Sequence, residues 1–159
     1  MRSMISQKAK YALRAMVALA RLPAGETVQT QELADTAAVP KRFLEHILLD
    51  LKARGLVASR RGKKGGYALL KTPESITFGA VLRIIDGPIA PLPCLSQTAY
   101  RRCTDCPDEA ACEIRHVFDQ AYEATRRVLD KLTLKDAIVG VDDKKPRSAR
   151  AEIIQGIGI

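Results

Sequence analysis

Residues 30–70, TQELADTAAVPKRFLEHILLDLKARGLVASRRGKKGGYALL, decide the fold. Thr30 is placed to cap a short helix over 31–38. A tight turn at Val39-Pro40 follows, and Pro40 suits the first position of a helix over 41–54, where its missing N–H costs little. Apolar residues recur on one face of that second helix. They are Leu44, Ile47, Leu48 and Leu51. Two short helices joined by a tight turn predict a helix-turn-helix.

A β-hairpin is predicted directly after the second helix. Residues 56–59 and 67–70 are short strand candidates, and the segment between them is basic and rich in glycine. Glycine lets the backbone turn sharply and pass close to another surface. The tip carries four cations within five residues. They are Arg60, Arg61, Lys63 and Lys64. Helix, turn, helix and basic hairpin in this order predict a winged helix-turn-helix.

In this arrangement the second helix of the motif enters the major groove of double-stranded DNA and presents side chains near its N-terminus. Those side chains are Lys41, Arg42, Glu45 and His46. Lys and Arg suit guanine edges or phosphate, and Glu accepts from the cytosine amino group. The four cations of the wing are placed to touch phosphate or to enter the minor groove. A charged helix without a partner and a winged helix that binds protein are the alternatives.

The charge distribution favours DNA. Residues 1–72 carry 14 Lys/Arg and 5 Asp/Glu, whereas the rest of the chain carries 12 and 13. A basic segment beside a nearly neutral one indicates a polyanion as the partner of the basic segment.

Four more helices are predicted. Ser6 caps a helix over 6–21, and Thr77 caps one that reaches Ile85 and ends at Gly87-Pro88. A long helix covers 113–132, and Thr133 caps a short one over 134–139. The fold class is therefore mainly α with a small β-hairpin. We expect a winged helix-turn-helix domain over 1–87, a Cys-rich loop over 88–112, a dimerisation helix and short C-terminal helix over 113–139, and a flexible tail over 140–159.

All four cysteines of the chain lie in that loop, with the spacing Cys94-x8-Cys103-x2-Cys106-x5-Cys112. The sequence shows neither a signal peptide nor a membrane-spanning run, so a cytoplasmic location is expected. In a reducing cytosol, clustered thiols indicate metal ligands or redox groups rather than structural disulfides. An iron–sulfur cluster, a zinc site and a metal-free thiol switch are all compatible with the spacing.

The long helix has a broad apolar face. Its members are Ile114, Val117, Phe118, Ala121, Tyr122, Val128, Leu129 and Leu132. Twenty residues of helix span about 30 Å. Packing against a two-fold mate would bury this face and set the distance between two recognition helices on a palindromic operator. Packing within the chain is the alternative, and the two are compatible.

Several segments together resemble a known family of regulators. They are Lys10-Tyr11-Ala12-Leu13-Arg14-Ala15-Met16, Phe43-Leu44-Glu45, Leu51 with Gly55-Leu56-Val57, Arg60-Arg61-Gly62, Gly65-Gly66-Tyr67 and the Cys-rich loop. With them the chain resembles the Rrf (Rrf-two) winged-helix regulators, which include the iron–sulfur regulator IscR and the nitric-oxide sensor NsrR. The likeness covers residues 4–138. It implies a homodimer that binds palindromic DNA and carries a [2Fe–2S] or related cluster in each subunit.

Three cysteines are typical of that family. Cys94 matches the first, Cys106 and Cys112 resemble the second and third, and Cys103 is additional and could replace Cys106. Where IscR-like members have a His three residues after the third cysteine, this chain has Arg115, with His116 one residue later. The fourth ligand is left open among His116, Cys103 and Gln7 of the partner subunit.

The combined prediction is a cytoplasmic, dimeric transcriptional repressor that senses iron–sulfur status, redox state or nitric oxide, and not an enzyme. A structural zinc, a metal-free thiol switch and a repressor that senses a small molecule are alternatives. A thiol-redox enzyme with a Cys103–Cys106 dithiol is disfavoured, because no βαβ pattern surrounds the pair and the basic segment over 1–72 would have no role.

Overall fold

The computed structural model describes residues 5–62 and 65–142. Within these residues the chain forms six α-helices and one two-stranded antiparallel sheet. The elements are α1 (Gln7–Ala20), α2 (Thr30–Ala37), α3 (Lys41–Ala53), β1 (Val57–Arg60), β2 (Gly66–Leu69), α4 (Phe78–Asp86), α5 (Glu113–Lys131) and α6 (Leu134–Asp142). Among the described helices, none has the length and apolar character needed to span a membrane. Two predicted segments lie outside the described residues, namely Lys63 with Lys64 at the wing tip and the tail beyond 142.

Helices α1 to α4 and the sheet share one hydrophobic core, the head. The predicted stripe of α3 is fully inside it, since Leu44, Ile47, Leu48 and Leu51 expose at most 1% of their surface. Leu134 of α6 belongs to the same core, and α6 packs against α1. The short C-terminal helix therefore returns to the head after α5, and it extends to Asp142 rather than 139.

Three of the four predicted helix caps are confirmed, and the predicted positions of Thr30 and Pro40 relative to their helices are each wrong by one residue. Ser6 Oγ accepts from the N–H of Ala9 at 3.0 Å, Thr77 Oγ1 accepts from the N–H of Ala80 at 3.2 Å, and Thr133 Oγ1 accepts from the N–H of Asp136 at 3.2 Å. Thr30 is already helical, because the Gln29 carbonyl accepts from Leu33 N–H at 2.9 Å.

Pro40 is the N-cap of α3 and not its first helical residue. Its ψ of 129° is extended, while its carbonyl accepts from the N–H of Leu44 at 3.1 Å. A non-helical residue whose carbonyl accepts the first intrahelical bond is by definition the cap. Gly55, which follows the C-cap Arg54 of α3, has a φ of +70°.

The wing pairs Val57 with Leu69 at its base and Arg60 with Gly66 near its tip. Each strand is displaced by one residue from its predicted position, towards the tip. Val28 adds a short bridge to β2, donating to and accepting from Tyr67 at 3.0 and 2.8 Å. Gly66 has a φ of +150°, and a side chain there would overlap the Val28 carbonyl. A glycine is therefore required where the wing meets this segment.

The C-terminal half of α5 is attached to the head through α4. Arg83 forms a two-pronged ion pair with Asp130, at 2.6 and 3.0 Å. The N–H of Phe78 donates to the Leu132 carbonyl at 3.0 Å. Gly79 allows this approach, because a Cβ at its position would overlap the Asp130 carboxylate. The end of α5 is therefore held against the head.

Replacing Thr77 with alanine is expected to lower the free energy of unfolding by about 1 kcal/mol, because the first turn of α4 loses its side-chain cap. Urea unfolding monitored by circular dichroism measures the change. Thr77→Ser keeps the hydroxyl and is the matched control, for which we expect most of the stability to be retained. Equal losses in the two variants would show that the methyl group, and not the cap, matters at this position.

Candidate DNA-binding surface and cysteine cavity

The exposed face of α3 carries the four residues predicted to read DNA. Lys41, Arg42, Glu45 and His46 are all exposed, whereas the stripe of Leu44, Ile47, Leu48 and Leu51 faces the core. Positions 41, 42, 45 and 46 share one face because residues four apart follow each other along a helix. The helix is thus anchored on one side and offers a mixed basic and polar surface near its N-terminus on the other.

Leu49 shares that exposed face and is absent from the predicted site. It is 57% exposed one turn beyond Glu45. The i, i+4 spacing is visible in the sequence, but an apolar residue on a helix is ordinarily assigned to the core. Phe43, also 57% exposed, lies beside Tyr11 of α1 with ring centroids 6.1 Å apart.

The described cations of the wing differ in how tightly they are held. Both Arg60 and Arg61 are exposed. The Arg60 guanidinium donates to the Gly25 carbonyl at 3.2 Å, which ties the wing to the loop after α1. One residue earlier in β1, Ser59 Oγ accepts from Lys52 Nζ of α3 at 2.6 Å. Arg61 therefore projects from a hairpin that is braced on both sides.

All four cysteines line one cavity of about 360 Å³ between the loop and the start of α5. Their thiols interact as two pairs, Cys94 with Cys103 and Cys106 with Cys112. Within the described ranges no three His, Cys, Asp or Glu side chains meet closely enough to hold one metal ion. The predicted metal ligands thus share a cavity without converging on a single point.

The pairing changes the acidity of two thiols. The hydrogen bond with Cys94, then desolvation and the Cys94 charge, raise the pKa of Cys103. Desolvation, followed by the charge and hydrogen bond of Cys112, raises the pKa of Cys106. Both thiols are therefore protonated at neutral pH, and a metal or cluster that binds them must displace protons.

Hydrogen bonds hold the loop in place although it has little regular structure. Tyr100 donates to Glu109 across the loop at 2.7 Å, and this bond raises the pKa of Tyr100. Arg102 donates to the carbonyls of Cys106 and Pro107 at 3.3 and 3.1 Å. Cys94 is buried with Leu95 and Tyr122 in a small apolar cluster, against which Cys103 packs. The loop is thus anchored at its first cysteine and crosslinked by polar contacts.

Helix α5 begins at the cavity. Cys112 is its N-cap, and the sulfur accepts from the N–H of Arg115 at 3.4 Å. Arg115 also lines the cavity, and its buried Nε has no hydrogen-bond partner among the described atoms. His116, one of the candidates for a fourth ligand, is exposed and is not part of the cavity wall.

The apolar face of α5 is exposed in the single chain. Tyr122 is the only residue of α5 that is buried. Val117 is 65% exposed, and Val128, about three turns later, is 54% exposed. The remaining large exposed apolar residues of this face are Ile114, Phe118 and Leu132.

A sequence model of the Rrf2 family, described as iron-dependent transcriptional regulators, matches residues 5–140. The chain belongs to the Rrf2 family. The rrf2-like HTH-type transcriptional regulator of Rhodobacter capsulatus is 51% identical over 138 residues, which cover 85% of this chain and 92% of the relative. The NsrR regulator of Bacillus licheniformis is 31% identical over 132 residues, covering 83% and 90%.

The same likeness holds in three dimensions. The structure of CymR, the global cysteine regulator of Bacillus subtilis, has a TM-score of 0.70 at 32% identity, and the match covers 86% of this Rrf2 chain and 96% of CymR. The predicted winged-helix fold class and the family resemblance are both confirmed. Because the relatives are transcriptional regulators, this Rrf2 protein is a transcriptional regulator and not an enzyme.

Proposed function

We propose that this Rrf2 regulator binds a palindromic DNA operator as a homodimer and adjusts that binding through an iron–sulfur cluster held by residues 94–112. One observation carries the sensing part of the proposal. All four cysteines of the chain line a single cavity at the N-terminus of the helix that leads back to the head. The family description as iron-dependent regulators agrees with iron in this cavity.

The side chains present fit an iron–sulfur group better than a single zinc ion. Zinc requires about four donors around one point, at about 2.3 Å from thiolate sulfur. A binuclear cluster instead takes its thiolates in pairs, because each of its two irons has its own terminal ligands. The thiols lie in two pairs, as the second type of site requires. When bound, such a cluster supplies a centre that exchanges single electrons and reacts with oxidants or nitric oxide.

The path from the cavity to the DNA runs along α5. Its first residue follows Cys112, and its last turn is fixed to α4 by Arg83 and Asp130. A change in how the thiolates are occupied alters the packing of the loop against Tyr122 and the capping of α5 by Cys112. Because α5 is rigidly attached to the head, the two heads of a dimer then change their separation.

DNA reading is assigned to Lys41, Arg42, Glu45 and His46 on α3, with phosphate contacts from the wing. Arg61 is the described wing cation that is best placed for this role, because Arg60 is partly engaged by Gly25. Lys63 and Lys64 are proposed for the same role from their place in the sequence alone. We assign repression as the mode of action and the cytoplasm as the location, where the thiols stay reduced.

A metal-free thiol switch is the second candidate, and the pairing of the thiols is the observation that favours it. Cys94 with Cys103 and Cys106 with Cys112 are near neighbours, and all four are free. A peroxide can oxidise each pair to a disulfide, with two electrons and two protons passing to the peroxide to form water.

The proposed function is tested by purifying the protein without oxygen and measuring its visible spectrum, iron and acid-labile sulfide. The operator is obtained by enriching a random pool of DNA duplexes, and fluorescence anisotropy then compares the cluster-loaded and apo forms. We expect a brown protein whose two forms differ at least about tenfold in operator affinity, a coupling of about 1.4 kcal/mol. A colourless protein that also resists anaerobic reconstitution would point to the thiol switch.

Replacing Arg42 or Arg61 with alanine is expected to affect DNA binding in different ways. Without Arg42 the protein should lose about 1–3 kcal/mol of discrimination at one base pair. Without Arg61 it should bind all duplexes more weakly, and the slope of log affinity against log salt should fall by about 1. Lys71→Ala removes a cation beyond the base of the wing and is the control. Equal effects of all three substitutions would contradict these roles.

A further inference from the structure

We infer that the cavity is laid out for a [2Fe–2S] cluster ligated by four thiolates of one chain, with Cys94 and Cys103 on one iron and Cys106 and Cys112 on the other. Arg115 is the charge partner of this cluster. The inference rests on the proposed iron–sulfur function and specifies its ligands. It assigns a ligand role to Cys103, and it assigns a charge-balancing role to Arg115, which does not itself bind iron.

The placement of the thiols determines the pairing. Cys103 packs against the buried cluster of Cys94, Leu95 and Tyr122, so it is held on the side of Cys94. Cys106 interacts with Cys112, whose position is fixed as the N-cap of α5. Two thiols at each end of one cavity match a binuclear centre, in which two irons each take two protein ligands. A single-metal site would instead require three or more donors at one point, which the described residues do not provide.

Cys103 is better placed to complete the ligand set than His116 or Gln7. His116 is exposed and lies outside the cavity wall, whereas Cys103 is part of that wall. Gln7 begins α1 and is exposed on the head. With Cys103 included, no group from a partner subunit is needed, and the cluster belongs to a single chain.

Arg115 supplies the positive charge that such a centre needs. Four thiolates and two sulfides give an oxidised [2Fe–2S] centre a net negative charge, and burial makes that charge costly without a partner. Arg115 lines the cavity, and its buried Nε lacks a hydrogen-bond partner among the described atoms. A donor that faces the sulfur atoms would be satisfied by them, and the N-terminus of α5 adds its partial positive charge on the same side.

The wild-type protein, loaded without oxygen, provides the first test. X-ray absorption at the iron edge should show only sulfur around iron, with about two iron and two sulfide per chain. A nitrogen or oxygen ligand, or a four-iron count, would overturn the four-thiolate assignment while leaving an iron–sulfur sensor in place. Absence of any cluster after reconstitution would overturn both this inference and the proposed cofactor.

Cys103→Ser provides the second test, with Thr104→Ala as the control for disturbance of the same loop. We expect Cys103→Ser to lose the cluster, or to retain it with a shifted absorption and electron paramagnetic resonance spectrum, and Thr104→Ala to match the wild type. Operator binding by the apo proteins verifies that both variants are folded. A Cys103→Ser protein with full loading and an unchanged spectrum would overturn the assignment of Cys103.

Arg115→Gln tests the charge partner without removing a ligand. Loss of the positive charge should make the reduction potential of the loaded protein more negative, whereas Arg115→Lys should stay close to the wild type. The visible spectrum should remain that of the wild type in both variants, because the ligands are unchanged. Equal potentials in the wild-type and glutamine proteins would show that Arg115 does not act on the cluster.

Discussion

Cys112→Ser is expected to yield a protein that holds little or no iron–sulfur cluster. Cys112 is one of the four thiols of the cavity, and the serine hydroxyl is a much poorer ligand for iron than a thiolate. Loss of an outer-shell partner alone costs about 10–100-fold in metal affinity, so loss of a ligand should cost more. Iron, sulfide and visible absorption per chain, measured after anaerobic reconstitution, report the result.

Serine is chosen because Cys112 has a second role as the N-cap of α5. Its sulfur accepts from the N–H of Arg115, and serine is among the preferred residues at this position. Helix α5 therefore keeps its cap, and unfolding of the helix does not account for the loss of iron. Ala111→Ser adds a hydroxyl to the same cavity wall and keeps all four thiols, so it should load normally. Normal loading of the Cys112→Ser variant would contradict the proposed cluster site.

The sequence predicts the head well because local chemistry determines it. The stripe of α3 has a helical period and is buried as expected, and Ser6 and Thr77 cap the helices that follow them. The errors at Thr30 and Pro40 are single-residue shifts. Whether a capping-type residue lies just outside or just inside a helix depends on one backbone angle, which residue identity alone does not determine.

Contacts between distant segments are what the sequence does not predict. Val28 forms a bridge to β2 of the wing. Leu134 joins the core of the head because the C-terminal end of α5 lies against α4. The cysteine spacing predicts that the four thiols share a site, but their division into pairs follows from the packing of Cys103 on the Cys94 cluster. Nothing in the identity of Arg115 shows that its Nε is buried in the cavity wall without a partner.

A double variant of the exposed face of α5, Val117→Glu with Val128→Glu, is expected to be monomeric. These residues are 65% and 54% exposed in the single chain and lie on the same face about three turns apart. Burying two carboxylates against the same face of a second copy would cost far more free energy than the apolar contact contributes to dimerisation. Light scattering should give half the mass of the wild type, while thermal stability of the head should be unchanged because neither side chain belongs to its core.

Operator affinity should fall by about 10²–10⁴-fold in the monomer, since the second half-site is no longer bound with the benefit of tethering. The control, Gln120→Glu with Arg127→Gln, makes the same change in charge at two exposed positions on the polar side of α5 and should remain dimeric. The monomer should still load about two irons per chain, because its four thiols lie within one chain. A monomer that cannot load would instead require a ligand from the partner subunit, whereas a variant that stays dimeric would place the dimer interface elsewhere.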